Sequence, residues 1–285
     1  MAATLFGARQ PLWRGGADRC RCLCRVPYRP LRFNSADRTP RLAPQKPGSW
    51  WAERIFRFGS GFNRSQVVLM FDIVGPLMMN QYLIGCARTG QAVLIDAGDA
   101  KAASGAAKSF GFDIQHILLT HAHSENIAAL ADLREIHRNI APIHLHPADL
   151  PNYEAAGTQS KVDGMLGSVR QPPPVDMELC DGQMIAVGQF ELMVIHTPGH
   201  TPGHVCFYCE EHGFLIGGDL LFSGSVGRTD LPGGNATHMQ QSLRKIMRLP
   251  DHTRVFAGHM NPTTIVVERR KNPHVSYALG DASCT

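Results

Sequence analysis

Apolar positions along the chain gather into short runs, and several of these runs stop on a residue able to bind a metal ion. Val67 to Phe71, Gln81 to Ile84 and Ala92 to Ile95 have the length and continuity of buried strands, and the last delivers Asp96 in the stretch I-D-A-G-D. Lys101 to Phe110 is Ala-rich and compatible with a helix, and the following run, Ile114 to Leu119, leads into Thr120 and His121. Ile127, Leu130, Leu133, Ile136 and His137 recur near helical spacing, which predicts a helix over Asn126 to His137. Ile143 to Leu145 reads as a short strand. From Pro147 to Pro174 the pattern fades into Gly, Ser, Asn and Pro, which predicts a long loop bordering a site.

Ile185, Val187, Phe190, Leu192 and Val194 alternate around a turn at Gly188-Gln189, as two strands of a hairpin would. They run into H-T-P-G-H-T-P-G-H, His196 to His204, where two prolines and two glycines forbid a helix and leave a loop. Two more apolar runs follow: Phe214 to Gly218 ends on Asp219, and Val255 to Gly258 ends on His259.

Charge is distributed unevenly. Residues 1–50 hold nine Arg and one Lys against Asp18 and Asp37, a surplus of eight, whereas the whole chain is only +4; the remainder therefore sums to −4. The folded part thus offers no basic face of the kind that nucleic acid requires. An Arg-rich, acid-poor start with Ser, Ala and Pro predicts a transit segment over 1–60 ahead of a domain over 66–280. An organellar destination, plastid or mitochondrion, follows if the segment is removed, and a cytoplasmic one if it is retained. No membrane span is expected, because the apolar stretch from Val67 to Met79 is broken by Asp72 and Pro76. Cys206 and Cys209 share one run, where an extended strand would send them to opposite faces, so reduced thiols are expected instead of a CxxC metal or redox site.

Strand ends therefore supply Asp96, then His121 with His123 and Glu125, then Asp219, then His259, and the Pro-Gly loop supplies His200. Strands are rigid enough to hold ligands at the tolerance a metal demands, and mixed imidazoles and carboxylates suit Zn²⁺, Fe²⁺ or Mn²⁺. Each feature alone has a plainer meaning, a loop histidine or a helix N-cap; their coincidence in one chain points to a metal site.

On I-D-A-G-D, T-H-A-H-S-E-N, H-T-P-G-H-T-P-G-H, the glycine-rich Gly217 to Gly234, A-G-H-M-N-P-T-T and E-R-R-K-N-P, the chain resembles the metallo-β-lactamase fold hydrolases, in particular the short glyoxalase II-like members. The resemblance runs from about Val67 to Pro273 and implies an α+β fold, an αββα four-layer sandwich with the site at the loop edges of the sheets. It also implies a first metal pocket of His121, His123 and His200, a bridging Asp219, and His259 in a second pocket. Asp96 would stand behind the ligands and orient an imidazole. His196 and His204 would be loop histidines and not ligands.

The family's motif is HxHxDH, and here its last two positions are Glu125 and Asn126. Glutamate extends the carboxylate by roughly 1.5 Å, one C–C bond, and an amide is a poor ligand for transition metals. One Zn²⁺ is therefore expected, with a second as the alternative and Fe²⁺ as another. Asp219 and Glu125 are the expected catalytic carboxylates, Asp219 orienting the metal and its water and Glu125 acting as general base. The resemblance implies hydrolysis of a small thioester such as an acyl-glutathione. A mononuclear iron persulfide dioxygenase, using His121, His200 and Asp219, and a catalytically impaired metal-binding scaffold are the alternatives.

Overall fold

The computed structural model describes residues 54–59, 66–136, 141–163 and 170–280, with backbone only for 157–163. Most of the transit segment expected over 1–60 lies outside these residues, as do His137, Cys20, Cys22, Cys24 and Cys284.

Seven strands form the first sheet in sequential order: β1 (Ile55–Phe58), β2 (Val67–Val74), β3 (Met79–Cys86), β4 (Gln91–Ile95), β5 (Asp113–Leu118), β6 (Ile143–Leu145) and β7 (Met177–Glu178). The second sheet is built from β8 (Met184–Val187), β9 (Phe190–His196), β10 (Val205–Cys209), β11 (Phe214–Gly218), β14 (Arg254–Ala257) and β15 (Thr263–Thr264). A small ribbon, β12 (Leu221–Phe222) with β13 (Ser225–Val226), rises between β11 and β14 in the chain. The helices are α1 (Ala100–Phe110), α2 (Ser124–Ile127), α3 (Leu130–Ile136), α4 (Leu150–Asp163), α5 (Ala236–Ile246), α6 (Ile265–Lys271) and α7 (Pro273–Leu279).

Period-two alternation sorts the strand residues into layers. Val93, Ile95, Leu118, Leu192, Val194, Phe207, Ile216 and Phe256 pack together between the sheets. Leu94, Ile117, Ile143 and Leu145 face outward onto Ala103, Leu130, Leu133 and Tyr153 of the first helical layer. Ile195, Cys206, Tyr208 and Leu215 face Leu243, Ile246, Ile265 and Val275 of the second. These four layers are the αββα sandwich implied by the sequence. Cys206 and Cys209 do face opposite sides, and the described cysteines are free thiols.

Three differences from the sequence expectations have physical causes. β1 precedes residue 66 and pairs antiparallel with β2, Ile55 opposite Met70, so sheet structure begins inside the segment assigned to the tail. Phe56 seals it by packing edge-on against Phe256. The single helix expected over Asn126 to His137 is divided into α2 and α3, because Ala97 N–H donates to Asn126 O (2.6 Å) and Ala129 N–H to Ala97 O (2.8 Å). The backbone there bonds to the loop after β4 instead of to itself. The loop expected over 147–174 contains α4, entered through a 3₁₀ turn at Pro147–Asp149. Only Leu150, Tyr153 and Ala156, three residues apart, give its early turns an apolar stripe, and Tyr153 and Ala156 are buried.

β5 and β6 run parallel and place His116 Nδ1 3.1 Å from His144 Nε2. His144 is buried and its Nδ1 has no partner. Burial, and then the neighbouring His116, bring its pKa down to about 4, against about 6.5 in an unfolded chain. The unfolded chain takes up this proton near pH 6.5 and the folded chain only near 4, so stability is lost as pH falls through that interval, by on the order of 3 kcal/mol in total. His144→Leu is expected to flatten the dependence of urea-unfolding free energy on pH over that range in metal-free protein; an unchanged slope would contradict it.

Candidate metal centre

The parallel pairing of β4 with β5, Ile95 opposite Leu118, brings the residues after both strands together. Asp96 turns into the left-handed region (φ 55°) and its carboxylate receives Thr120 N–H on Oδ1 (2.8 Å) and Thr120 Oγ–H on Oδ2 (2.9 Å). Having donated to Asp96, the Thr120 hydroxyl accepts from His121 Nδ1 (2.9 Å). These partners assign the proton of His121 to Nδ1 and leave Nε2 bare. Asp96 thus orients His121 through Thr120 and not by direct contact. Burial pushes its pKa up to about 7, against the two Thr120 donations.

His200 is fixed in the same sense from another loop: its Nδ1 donates to Arg228 O (2.8 Å), which leaves Nε2 bare. His123 Nδ1 lies 3.0 Å from His121 Nε2 and 2.9 Å from His200 Nε2. Burial, with repulsion from neighbouring cationic groups (the other histidines for His121 and His123, His259 and Arg228 for His200), keeps all three uncharged: His121 titrates well below the ordinary histidine range, His123 near 3 and His200 near 4. Two bare acceptors therefore point at one ring nitrogen whose single hydrogen can satisfy one of them well. A cation among the three satisfies all, and borderline-soft divalent ions favour such an imidazole set. Among the described residues, these three form the cluster of potential ligands whose donor atoms all lie within 4.8 Å.

Asp219 follows β11, whose last residue, Gly218, has φ 48°; a Cβ there would come within 2.6 Å of His204 Nε2. Asp219 N–H donates to that same His204 Nε2 (2.9 Å), and His204 Nδ1 bonds to the Thr197 hydroxyl (2.9 Å). His204 is therefore no ligand but anchors the backbone of Asp219. Asp219 Oδ2 lies 3.4 Å from His200 Nε2 and 3.6 Å from His259 Nε2, while Oδ1 is buried without a partner. Burial, and then the charge of Glu125, push its carboxyl up to about 8. A buried anionic oxygen with no donor is costly, and a cation relieves it. A Cβ at Gly258 would overlap Asp219 Oδ1. Gly258→Ala is expected to displace that carboxylate, lower stability by about 1–3 kcal/mol and weaken zinc binding, as read by chelator competition; zinc affinity equal to the parent's would contradict this.

Three further residues stand where the resemblance implies a second pocket. Glu125 and Asn126 lie in α2; Glu125 is half-buried, and its charge reaches Asp219. Asn126 is buried, and its amide lies towards the Asp96 carboxylate, whose ionised form it favours slightly. His259 stands at the end of β14, half-buried and beside the Phe222 ring.

Several supporting residues escaped the sequence reading. Asn80 N–H and Nδ2 donate to Gly258 O, Ala257 O and Met260 O, bracing the His259 loop, while Gln81 Oε1 accepts from Gly98 N–H and Asp99 N–H. Two adjacent amides inside an apolar strand were the available signal. Glu268 accepts from Gly224 N–H and the Thr263 hydroxyl, and Asn272 donates to Ser225 O. The E-R-R-K-N-P stretch thereby holds the loop that carries Arg228. The Arg228 side chain forms an exposed bidentate pair with Asp230, as expected of a loop clamp. Among the described residues, two non-glycine residues besides Asp96 have positive φ, Met78 (52°) and Met260 (68°); both are exposed, and Asn80 ties the turn of the first to the backbone of the second. Such conformations are retained where surrounding structure imposes them, commonly at functional sites.

A family model described as "Metallo-beta-lactamase superfamily" matches residues 74–259. An uncharacterized protein of Aquifex aeolicus is 40% identical over 72% of this chain and 96% of its own length. The probable metallo-hydrolase YqgX of Bacillus subtilis is 33% identical over 71% and 95%, and a hydroxyacylglutathione hydrolase of Rhodospirillum rubrum is 35% identical over 70% and 65%. Among solved structures, TTHA1623 in a di-iron-bound form superposes with a TM-score of 0.64 at 40% identity, covering 72% of this chain and 98% of that one. ETHE1 from Myxococcus xanthus does so at 0.57 and 26% identity, covering 76% and 91%.

Proposed function

Because the chain belongs to the metallo-beta-lactamase superfamily, we propose that it is a metal-dependent hydrolase of a small thioester such as an acyl-glutathione, working with one zinc ion. The observation that carries this reading is the convergence of three uncharged imidazole nitrogens beside a buried carboxylate oxygen without a partner. His121, His123, His200 and Asp219 would hold the ion. When bound, it lowers the pKa of water towards ~7 and polarises the acyl carbonyl.

The chain's own residues do the rest. Thr120 and Arg228 keep the imidazole protons of His121 and His200 on Nδ1, so both Nε2 atoms stay available. Glu125, half-buried and with its charge felt at Asp219, would accept a proton from attacking water. Asn126 supports the single-ion stoichiometry, since its amide replaces an imidazole. The thioester assignment draws on the R. rubrum relative, of which this chain spans 65%.

Elemental mass spectrometry on the full chain, followed by assay against acyl-glutathione thioesters, tests the reading. About one zinc per chain with metal-dependent turnover is the expected result. No metal-dependent turnover of any thioester or lactone would sink it. About one iron, with oxygen uptake on glutathione persulfide, would replace it by the dioxygenase reading. A chain that stays metal-free after loading with zinc would favour the scaffold.

A further inference from the structure

Asp149 sits in the 3₁₀ turn after β6, outside every motif of the site, and is fully buried. Its carboxylate reaches two loops at once. Oδ2 accepts Ala122 N–H (3.0 Å), from the residue between His121 and His123. The same oxygen accepts the Thr201 hydroxyl (2.7 Å), from the residue after His200. Oδ1 accepts Gly203 N–H (2.6 Å), from the residue before His204, which anchors Asp219. The approach is so close that a Cβ on Gly203 would come within 2.6 Å of Asp149 N and 2.8 Å of Oδ1. That accounts for glycine in the second Pro-Gly of the loop.

The two loops come from different sheets, following β5 and β9. Val205 N–H, next to His204, also donates to Thr120 O (2.8 Å), and the distance from His121 and His123 to His200 decides whether three nitrogens can share one ion. We propose that Asp149 is a positioning residue for the metal centre: its carboxylate ties the His121–His123 segment to the His200 loop and thereby sets the spacing of the three histidines. A carboxylate suits the task because it accepts three donations with two oxygens and donates none. An amide in its place turns an NH₂ group towards at least one of these donors. The inference rests on the metal-site reading above, and it concerns affinity for the ion, whatever the substrate.

The test is zinc affinity by competition with a chromophoric chelator, on full-length parent, Asp149→Asn, and a control, Asp176→Asn, with the melting temperature of each metal-free form. Asp176 also accepts a backbone N–H, from Ile143 (2.9 Å), and pairs with Arg134, but it touches neither ligand loop. Zinc affinity is expected to fall about 10–100-fold in Asp149→Asn, the range for partners that hold a ligand in place, and to stay within about threefold of the parent in Asp176→Asn. If Asp149→Asn does not fold, Thr201→Val removes one of the three donations and is expected to lower affinity by roughly threefold or more. Undiminished affinity in folded Asp149→Asn, or in Thr201→Val where that variant stands in, would overturn the inference while leaving the metal centre in place. A parent chain with no zinc affinity would overturn both.

Discussion

With His200 replaced by alanine, the protein is expected to lose zinc on gel filtration, its affinity falling by more than about 100-fold, the upper end for removing a partner that merely supports a ligand. The change deletes one of the two bare Nε2 atoms directed at the pocket and the neighbour 3.4 Å from Asp219 Oδ2. It also strips Arg228 O of its donor, the carbonyl of an exposed residue that belongs to none of the hydrophobic clusters. Folding should therefore persist, with unchanged far-ultraviolet circular dichroism, while metal-dependent turnover disappears. His196→Ala is the matched control. His196 ends β9 where that loop begins, but its Nε2 bonds to Pro202 O and its ring stacks on His146 at 4.1 Å, away from the three ligands. It is expected to retain a full equivalent of zinc. Retention of that equivalent by His200→Ala, or its equal loss from both variants, would refute the ligand assignment.

Restoring the family motif is expected to produce the opposite change. In the double variant Glu125→Asp, Asn126→His, metal content should rise from about one to about two ions per chain, because an imidazole replaces an amide as ligand. The receiving groups are already present: Asp219 Oδ1 is buried without a partner, and His259 Nε2 stands 3.6 Å from Oδ2. Asn126 itself has little to lose, since its buried amide makes no well-formed hydrogen bond and favours the ionised form of Asp96 only slightly. The shortened carboxylate at 125 should also relieve crowding of charge at Asp219, whose pKa Glu125 raises. Elemental analysis after zinc loading measures the outcome. A double variant that folds and still holds one ion would mean that the position of His259, and not residues 125 and 126, limits the second pocket.

The site was legible where chemistry and local pattern coincide. Asp96, His121, Asp219 and His259 each end an apolar run, and the glycines and prolines around His200 exclude a helix, so each could be placed without knowing the fold. The boundaries of β1 and α4 were not legible. β1 is short and takes its stability from pairing with β2 and from Phe56 on Phe256; α4 follows a turn that starts at Pro147, has Pro151 in its own first turn and carries few apolar residues. The expected continuous helix after Glu125 also failed on a contact from outside it, the two hydrogen bonds between Ala97 and the Asn126–Ala129 backbone.

The chain by itself thus determined which residues could bind metal and the strands that carry them, because periodicity and residue chemistry are local properties, while the sandwich and the departure at Glu125 and Asn126 were legible only through the resemblance. Tertiary structure alone decided which nitrogen of each histidine faces the pocket. Thr120 settles this for His121 and Arg228 O for His200, 28 residues away. It likewise decided that His204 anchors Asp219, that Asn80 braces the His259 loop across 177 residues of chain, and that Asp149 joins the two ligand loops. Hydrogen-bond partners so distant in sequence leave no periodic trace, since only folding brings their donors and acceptors within 3 Å.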